Sequence, residues 1–152
     1  MIRAYLFALD PTEAQADAMA SHCGATRVAY NWCLARVKAN WSQRAAEQTY
    51  GLTGDQLTPW MATSAYSLRK AWNAAKNEVA PWWKQNSKEA YASGCANLAA
   101  ALANRTAGRA KMPRFQVQAD RAHVVQVHHR PIRAGPRPPA RAVARDRGGA
   151  HQ

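Results

Sequence analysis

A mainly α-helical chain with one short N-terminal strand is what the sequence predicts, and three observations predict it. Tyr30, Leu34, Val37 and Trp41 recur at steps of four, three and four, the spacing of one buried helix face, and Val28, Trp32 and Ala35 widen that stripe. Two later stretches repeat the helical spacing: Ala65, Leu68, Trp72, Ala75 and Val79 form one stripe, and Tyr91, Cys95, Leu98 and Leu102 form the other. A single stretch, Ile2 to Leu9, alternates as a strand, with Ile2, Ala4, Leu6 and Ala8 on one face and Tyr5, Phe7 and Leu9 on the other. Both of its faces are apolar, so it must join a sheet supplied elsewhere or lie flat on helices.

Length and composition narrow the setting. The chain has 152 residues and is 47% hydrophobic, enough for one domain plus a tail. It has no run of 18 apolar residues and no basic-then-apolar leader, so neither a membrane span nor a signal peptide is expected. Cys23, Cys33 and Cys95 are an odd count without a C-x-x-C pair, which argues against a disulfide framework or zinc ribbon and fits a cytoplasmic location. The net charge of +12 is uneven: residues 1–100 hold 10 Lys/Arg against 7 Asp/Glu, and residues 101–152 hold 11 against 2. Whole-chain basicity therefore says little about the helical part.

In chain order, Asp10 can cap a first helix, with Pro11 in its first turn and Glu13 three residues on. That helix is predicted to run to about Ser21 and stop at Gly24, a good left-handed terminus. A long helix follows from near Thr26 to about Tyr50, ended by Gly51, so the pair reads as a helical hairpin of helix-turn-helix type. Leu52 to Thr63 is a connector with a turn at Gly54-Asp55 and a short helix start at Thr58-Pro59. A third helix spans about Ser64 to Glu78 and is broken by Pro81, and Ser87 caps a fourth. From Gln116 to Gln152 there is no Leu, Trp, Tyr, Phe, Met, Lys or Glu, and this segment is expected to be disordered. The chain thus divides into a strand and helix-turn-helix segment at 1–50, a helical region at 51–115 ending in Pro113-Arg114-Phe115, and a basic tail at 116–152.

The chemistry suggested by these residues is binding. Arg27, Asn31, Arg36, Lys38 and Asn40 lie off the apolar stripe of the long helix and form a basic, amide-rich edge; Arg69, Lys70, Asn73, Lys76 and Asn77 form the exposed side of the third helix, with Lys70 and Lys76 as its candidate contacts. Arg114 adds a cation after the fourth. All six tryptophans lie between positions 32 and 83. Core positions are expected for Trp32, Trp41 and Trp72, whereas Trp82 and Trp83 point about 100° apart on a helix, so one is free to stack on an unpaired base. A solvated cationic helix face is the plainer alternative. Catalysis has little support: the seven acids before residue 100 are scattered, and Glu13 and Asp17, the one i, i+4 pair, suit a helix N-terminus. His123, His128, His129 and His151 lack metal-ligand helical spacing. No catalytic residue, metal, cofactor, membrane partner or small-molecule substrate is expected.

Six stretches together resemble the N-terminal part of the OrfB/TnpB-type transposases of bacterial insertion sequences. They are Arg3-Ala4-Tyr5 to Pro11-Thr12, Cys23-Gly24-Ala25-Thr26-Arg27, Tyr30-Asn31-Trp32, Leu68 to Asn73, Ser87 to Tyr91, and Pro113-Arg114-Phe115. Their order and spacing carry the likeness over residues 1–115, and Met112 departs from it where the family has an aromatic. The resemblance implies an RNA-guided DNA endonuclease whose N-terminal region holds guide RNA and target DNA, with a segment described as helix-turn-helix. It places the catalytic carboxylates in a later metal-binding nuclease domain, so this chain is expected to be a truncated, non-catalytic fragment, and the sheet partners of Ile2 to Leu9 are expected downstream. The tail fits a frameshift: Val125 to Arg130 can be encoded so that dropping one base reads Cys-Arg-Phe-Thr-Thr-Gly, and Pro136 to Ala142 in that frame can give Pro-Asp-Arg-Arg-His-Val. A genuine basic tail is the rival reading. The expected function is a nucleic-acid-binding transposase fragment with guide-type RNA and DNA as partners; the alternatives are a stand-alone helical DNA-binding regulator and a protein-interaction module.

Overall fold

Thr12 opens the first helix. Its hydroxyl accepts from the Gln15 N–H at 3.4 Å, and the Gln15 side chain accepts from the Thr12 N–H at 3.0 Å, a reciprocal capping box. In the computed structural model, which describes residues 10–118, helix α1 then runs unbroken from Glu13 to Thr49. The cap is Thr12 rather than Asp10, and Pro11 precedes the helix.

The break expected at Gly24 does not form. Contacts to the chain around residues 86–90 tie the helix on either side of it. Ser21 Oγ donates to Asn86 Oδ1 at 3.0 Å, the Ser87 N–H donates to His22 Nε2 at 3.3 Å, and Thr26 Oγ1 donates to the Ala90 carbonyl at 2.9 Å. A glycine in a helix interior costs only about 1 kcal/mol relative to alanine, which such contacts offset.

Ser64 caps α2 (Ala65–Val79), its Oγ accepting from the Ser67 N–H at 3.1 Å, and Ser87 caps α3 (Lys88–Thr106), accepting from the Glu89 N–H at 3.3 Å. Ser87 caps where the sequence puts its cap, and Ser64 stands at the start expected for its helix. Short 3₁₀ turns at Gly54–Gln56 and Trp83–Gln85 lie in the two connections. The short helix expected at Thr58-Pro59 is replaced by irregular chain bonded to α1. Among the described residues the architecture is helical, without a strand. The predicted strand Ile2 to Leu9, the remainder of the tail from residue 119 and its four histidines lie outside those residues.

The largest helix contact is α1 on α3, followed by α2 on α3. Ala25, Ala29, Cys33, Leu34 and Val37 of α1, Leu68 and Trp72 of α2, and Cys95 and Leu98 of α3 are essentially inaccessible. Trp72 anchors the junction: its ring stacks on Tyr91 at 5.3 Å and meets the Trp32 ring edge-on at 5.7 Å. The backbones of α1 and α3 touch at Gly94, where a Cβ would stand 2.3 Å from the Thr26 carbonyl oxygen. Nearby the free thiols of Cys33 and Cys95 pack 3.8 Å apart, and the hydrogen bond between them together with burial holds the Cys33 proton on far above the ordinary thiol range. The stripes are narrower than predicted, for Ala35, Ala65 and Val79 are exposed.

Candidate nucleic-acid interface

An α-helix turns by about 100° per residue, which settles what the predicted edge of α1 can be. Arg27, Asn31 and Lys38 fall within about 40° of one another, whereas Arg36 lies about 180° from Arg27. The four residues therefore form two strips that flank the buried stripe. The outward face of α1 between them carries Ala35, Ala39, Ser42, Gln43 and Ala46, all exposed and none cationic.

The first strip holds returning chain. Asn31 Nδ2 donates to the Gln116 carbonyl at 2.8 Å, and its Oδ1 accepts from the Gln116 N–H at 2.8 Å, so the amide side chain pairs with one residue's backbone as a strand neighbour would. Arg27 donates to Gln118 Oε1 at 3.4 Å, and Lys38 Nζ sits 4.6 Å from the centre of the Phe115 ring. Met112 packs on the core and Pro113 is buried, while Arg114 is exposed. The held segment thus runs on to Gln118, three residues into the stretch assigned to the tail.

The second strip, Arg36, Asn40, Arg44 and Glu47, faces the α1–α2 connection. Arg36 lies over the Trp32 ring at 5.0 Å. Asn40 Nδ2 donates to the Pro59 carbonyl at 3.0 Å and its Oδ1 accepts from the Met61 N–H at 3.1 Å. Arg44 donates to the Thr58 carbonyl and covers the Trp60 ring at 4.0 Å. Glu47 accepts from the Thr58 N–H at 2.7 Å, from the Thr58 hydroxyl, and from Gln43 Nε2 at 2.9 Å. The Thr58 hydroxyl first, then Gln43, hold the Glu47 carboxyl below the usual carboxylate range.

Among the described residues, cations gather about a concave surface between α2 and α3. An open cleft of about 210 Å³ is walled by Trp72, Tyr91 and Trp83, and Arg69, Lys76 and Lys88 bring positive charge to it beside Asn73 and one carboxylate, Glu89. Lys76 Nζ lies 3.6 Å from the Trp83 ring centre, and Trp83 Nε1 donates to Asn77 Oδ1 at 2.8 Å. Of the predicted residues, the structure brings Lys76 and Trp83 together here. Trp83 is half-buried, and Lys76 covers one face of its ring, so the freer of the adjacent indoles is Trp82, 40% exposed. Lys70 is exposed on α2 but does not line the cleft. Arg69, Asn73 and Lys76 are spaced i, i+4, i+7 on the exposed side that the sequence predicts for this helix; Lys88 arrives through the packing of α3, which no local pattern reports. Arg44 and Trp60 were missed for the same reason. Among the described residues no group of three or more His, Cys, Asp or Glu could hold a metal ion, and no helix is long and apolar enough to cross a membrane.

Fold and surface define a small helical unit, α3 laid on the long α1 and α2 laid chiefly on α3, with cations collected around an aromatic-walled cleft. Residues 1–46 match the helix-turn-helix domain of the OrfB/IS605 type. Two proteins of Mycobacterium tuberculosis, from different strains and each described as "Putative RNA-guided DNA endonuclease", are 35% identical to this chain over 130 residues, 76% of this chain. The match covers 26% of each of those proteins, so the chain spans about a quarter of the length of the curated relatives it matches. The chain carries an OrfB/TnpB-type N-terminal region. No solved structure matches it. Within residues 13–46 the segment named for a helix-turn-helix is one continuous helix here.

Proposed function

We propose that this region binds nucleic acid through the α2–α3 cleft, with Arg69, Lys76 and Lys88 on phosphates and Asn73 supplying hydrogen bonds. The observation that carries the reading is the convergence of three cations from two helices on one cleft, in a region similar to proteins described as RNA-guided DNA endonucleases. Phosphate contacts position a protein without reading bases, so sequence preference is slight. Guide-type RNA and DNA are both accepted as structured polyanions. Residues 10–118 carry 13 Lys/Arg against 7 Asp/Glu, a modest excess, and dissociation constants of order 10⁻⁴–10⁻⁶ M at physiological salt follow. The residues of this chain bind without cutting, because their carboxylates are scattered. We read residues 10–50 and 51–115 as one unit, since side chains of α1 hold both the α1–α2 connection and the returning chain at Gln116.

The test is a salt titration of binding to an RNA hairpin and a DNA duplex. Replacing Arg69, Lys76 and Lys88 together by Gln is expected to weaken binding to both and to flatten the slope of log K against log salt by about one per lost contact. Replacing Arg27 and Lys38 by Gln, cations occupied with residues 115–118, is expected to change the slope far less. The same mixtures with Mg²⁺ are expected to leave the strands intact. An unchanged slope in the cleft variant would refute the assignment.

A further inference from the structure

Trp60 is the most exposed of the described tryptophans, 64% accessible, yet it is held in place from three sides. Asn40 brackets it, bonding the carbonyl of Pro59 before it and the N–H of Met61 after it. The Arg44 guanidinium carbon lies over one face of its ring, 4.0 Å from the centre, while Arg44 is bonded to the Thr58 carbonyl, and Glu47 secures Thr58. The backbone is held and the ring is presented to solvent. The same connection, with the ends of the helices it joins, exposes two further rings, Tyr50 at 83% and Tyr66 at 69%.

Three features say what belongs on the outer face of Trp60. The inner face is already taken by a guanidinium, so the ring is fixed in orientation and its ordering cost is met before any ligand arrives. The group shown against the ring is a guanidinium, and the side chain that holds the flanking backbone is an amide, hydrogen-bonding groups suited to a planar, polar base. Finally, Arg36 lies on the same strip of α1, about 12 Å along the helix from Arg44, and stacks on Trp32, which meets Trp72 in the wall of the cationic cleft. A chain of cations and rings therefore runs from that cleft toward Trp60.

We propose that Trp60, backed by Arg44 and bracketed by Asn40, is a stacking platform for an unpaired base of the bound strand. The proposal rests on the nucleic-acid reading above and adds to it a site outside the cleft. It is tested on the full chain with two single-stranded oligonucleotides of equal length and phosphate count, one carrying bases and one carrying abasic sugars. Trp60→Ala is expected to lose about 5- to 150-fold in affinity for the base-bearing strand, the equivalent of 1–3 kcal/mol per stacked base. Its affinity for the abasic strand and its salt slope are expected to be unchanged, and Trp60→Phe is expected to restore most of the loss. Because the ring is exposed, helical circular dichroism should be unaltered. Equal affinity of Trp60→Ala and the parent for the base-bearing strand would overturn the platform, as would an equal loss on both strands. A parent chain that sediments as a dimer dispersed by Trp60→Ala would assign the face to a second copy instead. If Trp60→Ala changes nothing while the Arg69, Lys76 and Lys88 variant still loses binding, only the platform falls. If the parent binds neither strand, the nucleic-acid reading falls and takes the platform with it.

Discussion

Glu47 joins α1 to the α1–α2 connection through two hydrogen bonds from Thr58 and accepts a third from Gln43 of its own helix, and each of them favours its ionised form. Its folded pKa is therefore lower than its unfolded one. The stability it contributes is fully present above the ordinary carboxylate range and is lost as pH falls through that range toward the lower folded value. Glu47→Gln is accordingly expected to flatten the acid side of the stability–pH curve, measured by urea unfolding between neutral and strongly acid pH; curves that stay parallel would remove Glu47 from the acid response. This residue shows the limit of reading at the residue scale. The sequence tells where Glu47, Asn40 and Asn31 sit around α1, because helical angle follows from number alone. It does not tell which stretch of chain returns to meet them. Asn31 was legible as a hydrogen-bonding residue on the helix surface, but its partner is the backbone of Gln116, 85 residues away. The same ignorance merged Arg27, Arg36 and Lys38 into one edge, although Arg36 faces the other way.

At the scale of elements, the signals that worked were those whose physics is local. Ser64 and Ser87 satisfy orphan N–H groups of their own helices, so they cap wherever the chain later goes. Gly24 misled because a glycine only permits a break, and the contacts of Ser21, His22 and Thr26 that hold the helix straight come from distant residues. The two readings make opposite predictions for one substitution. In a continuous helix the nearest atom to an added Cβ is an Arg27 guanidinium nitrogen at 3.9 Å, an ordinary contact with a flexible side chain. Gly24→Ala is therefore expected to stabilise by about 0.5–1 kcal/mol, raising the melting temperature by about 2–8 °C. If Gly24 ended a helix in the left-handed region, alanine there would destabilise instead, so a downward shift in a thermal melt would restore the turn.

For the whole molecule, the open matter is where the folded unit ends, since composition changes at Gln116 but contacts do not. Composition marks where large apolar residues run out; it is blind to a backbone held by an amide side chain. Residues 112–118 bring Met112 to the core, bury Pro113, lay Phe115 against Lys38 and pair Gln116 with Asn31. Their loss leaves the Asn31 amide without its partner and uncovers apolar surface. A chain ending at Lys111 is expected to lose about 2–4 kcal/mol, from two hydrogen bonds at about 1 kcal/mol each and a partly buried methionine. A chain ending at Gln118 is expected to stay within about 0.5 kcal/mol of the full-length stability, because the residues beyond it hold no large aromatic and no leucine or methionine. Denaturant unfolding of the three chains decides the boundary. Equal stability of all three would leave the Asn31–Gln116 pair without energetic weight, and a loss of more than about 1 kcal/mol in the chain ending at Gln118 would show that residues 119–152 contribute to the fold. The two shortened chains also separate two sources of binding: seven arginines leave with residues 119–152, so non-specific affinity at low salt should fall in both, while the difference made by Arg69, Lys76 and Lys88 should persist in the chain ending at Gln118.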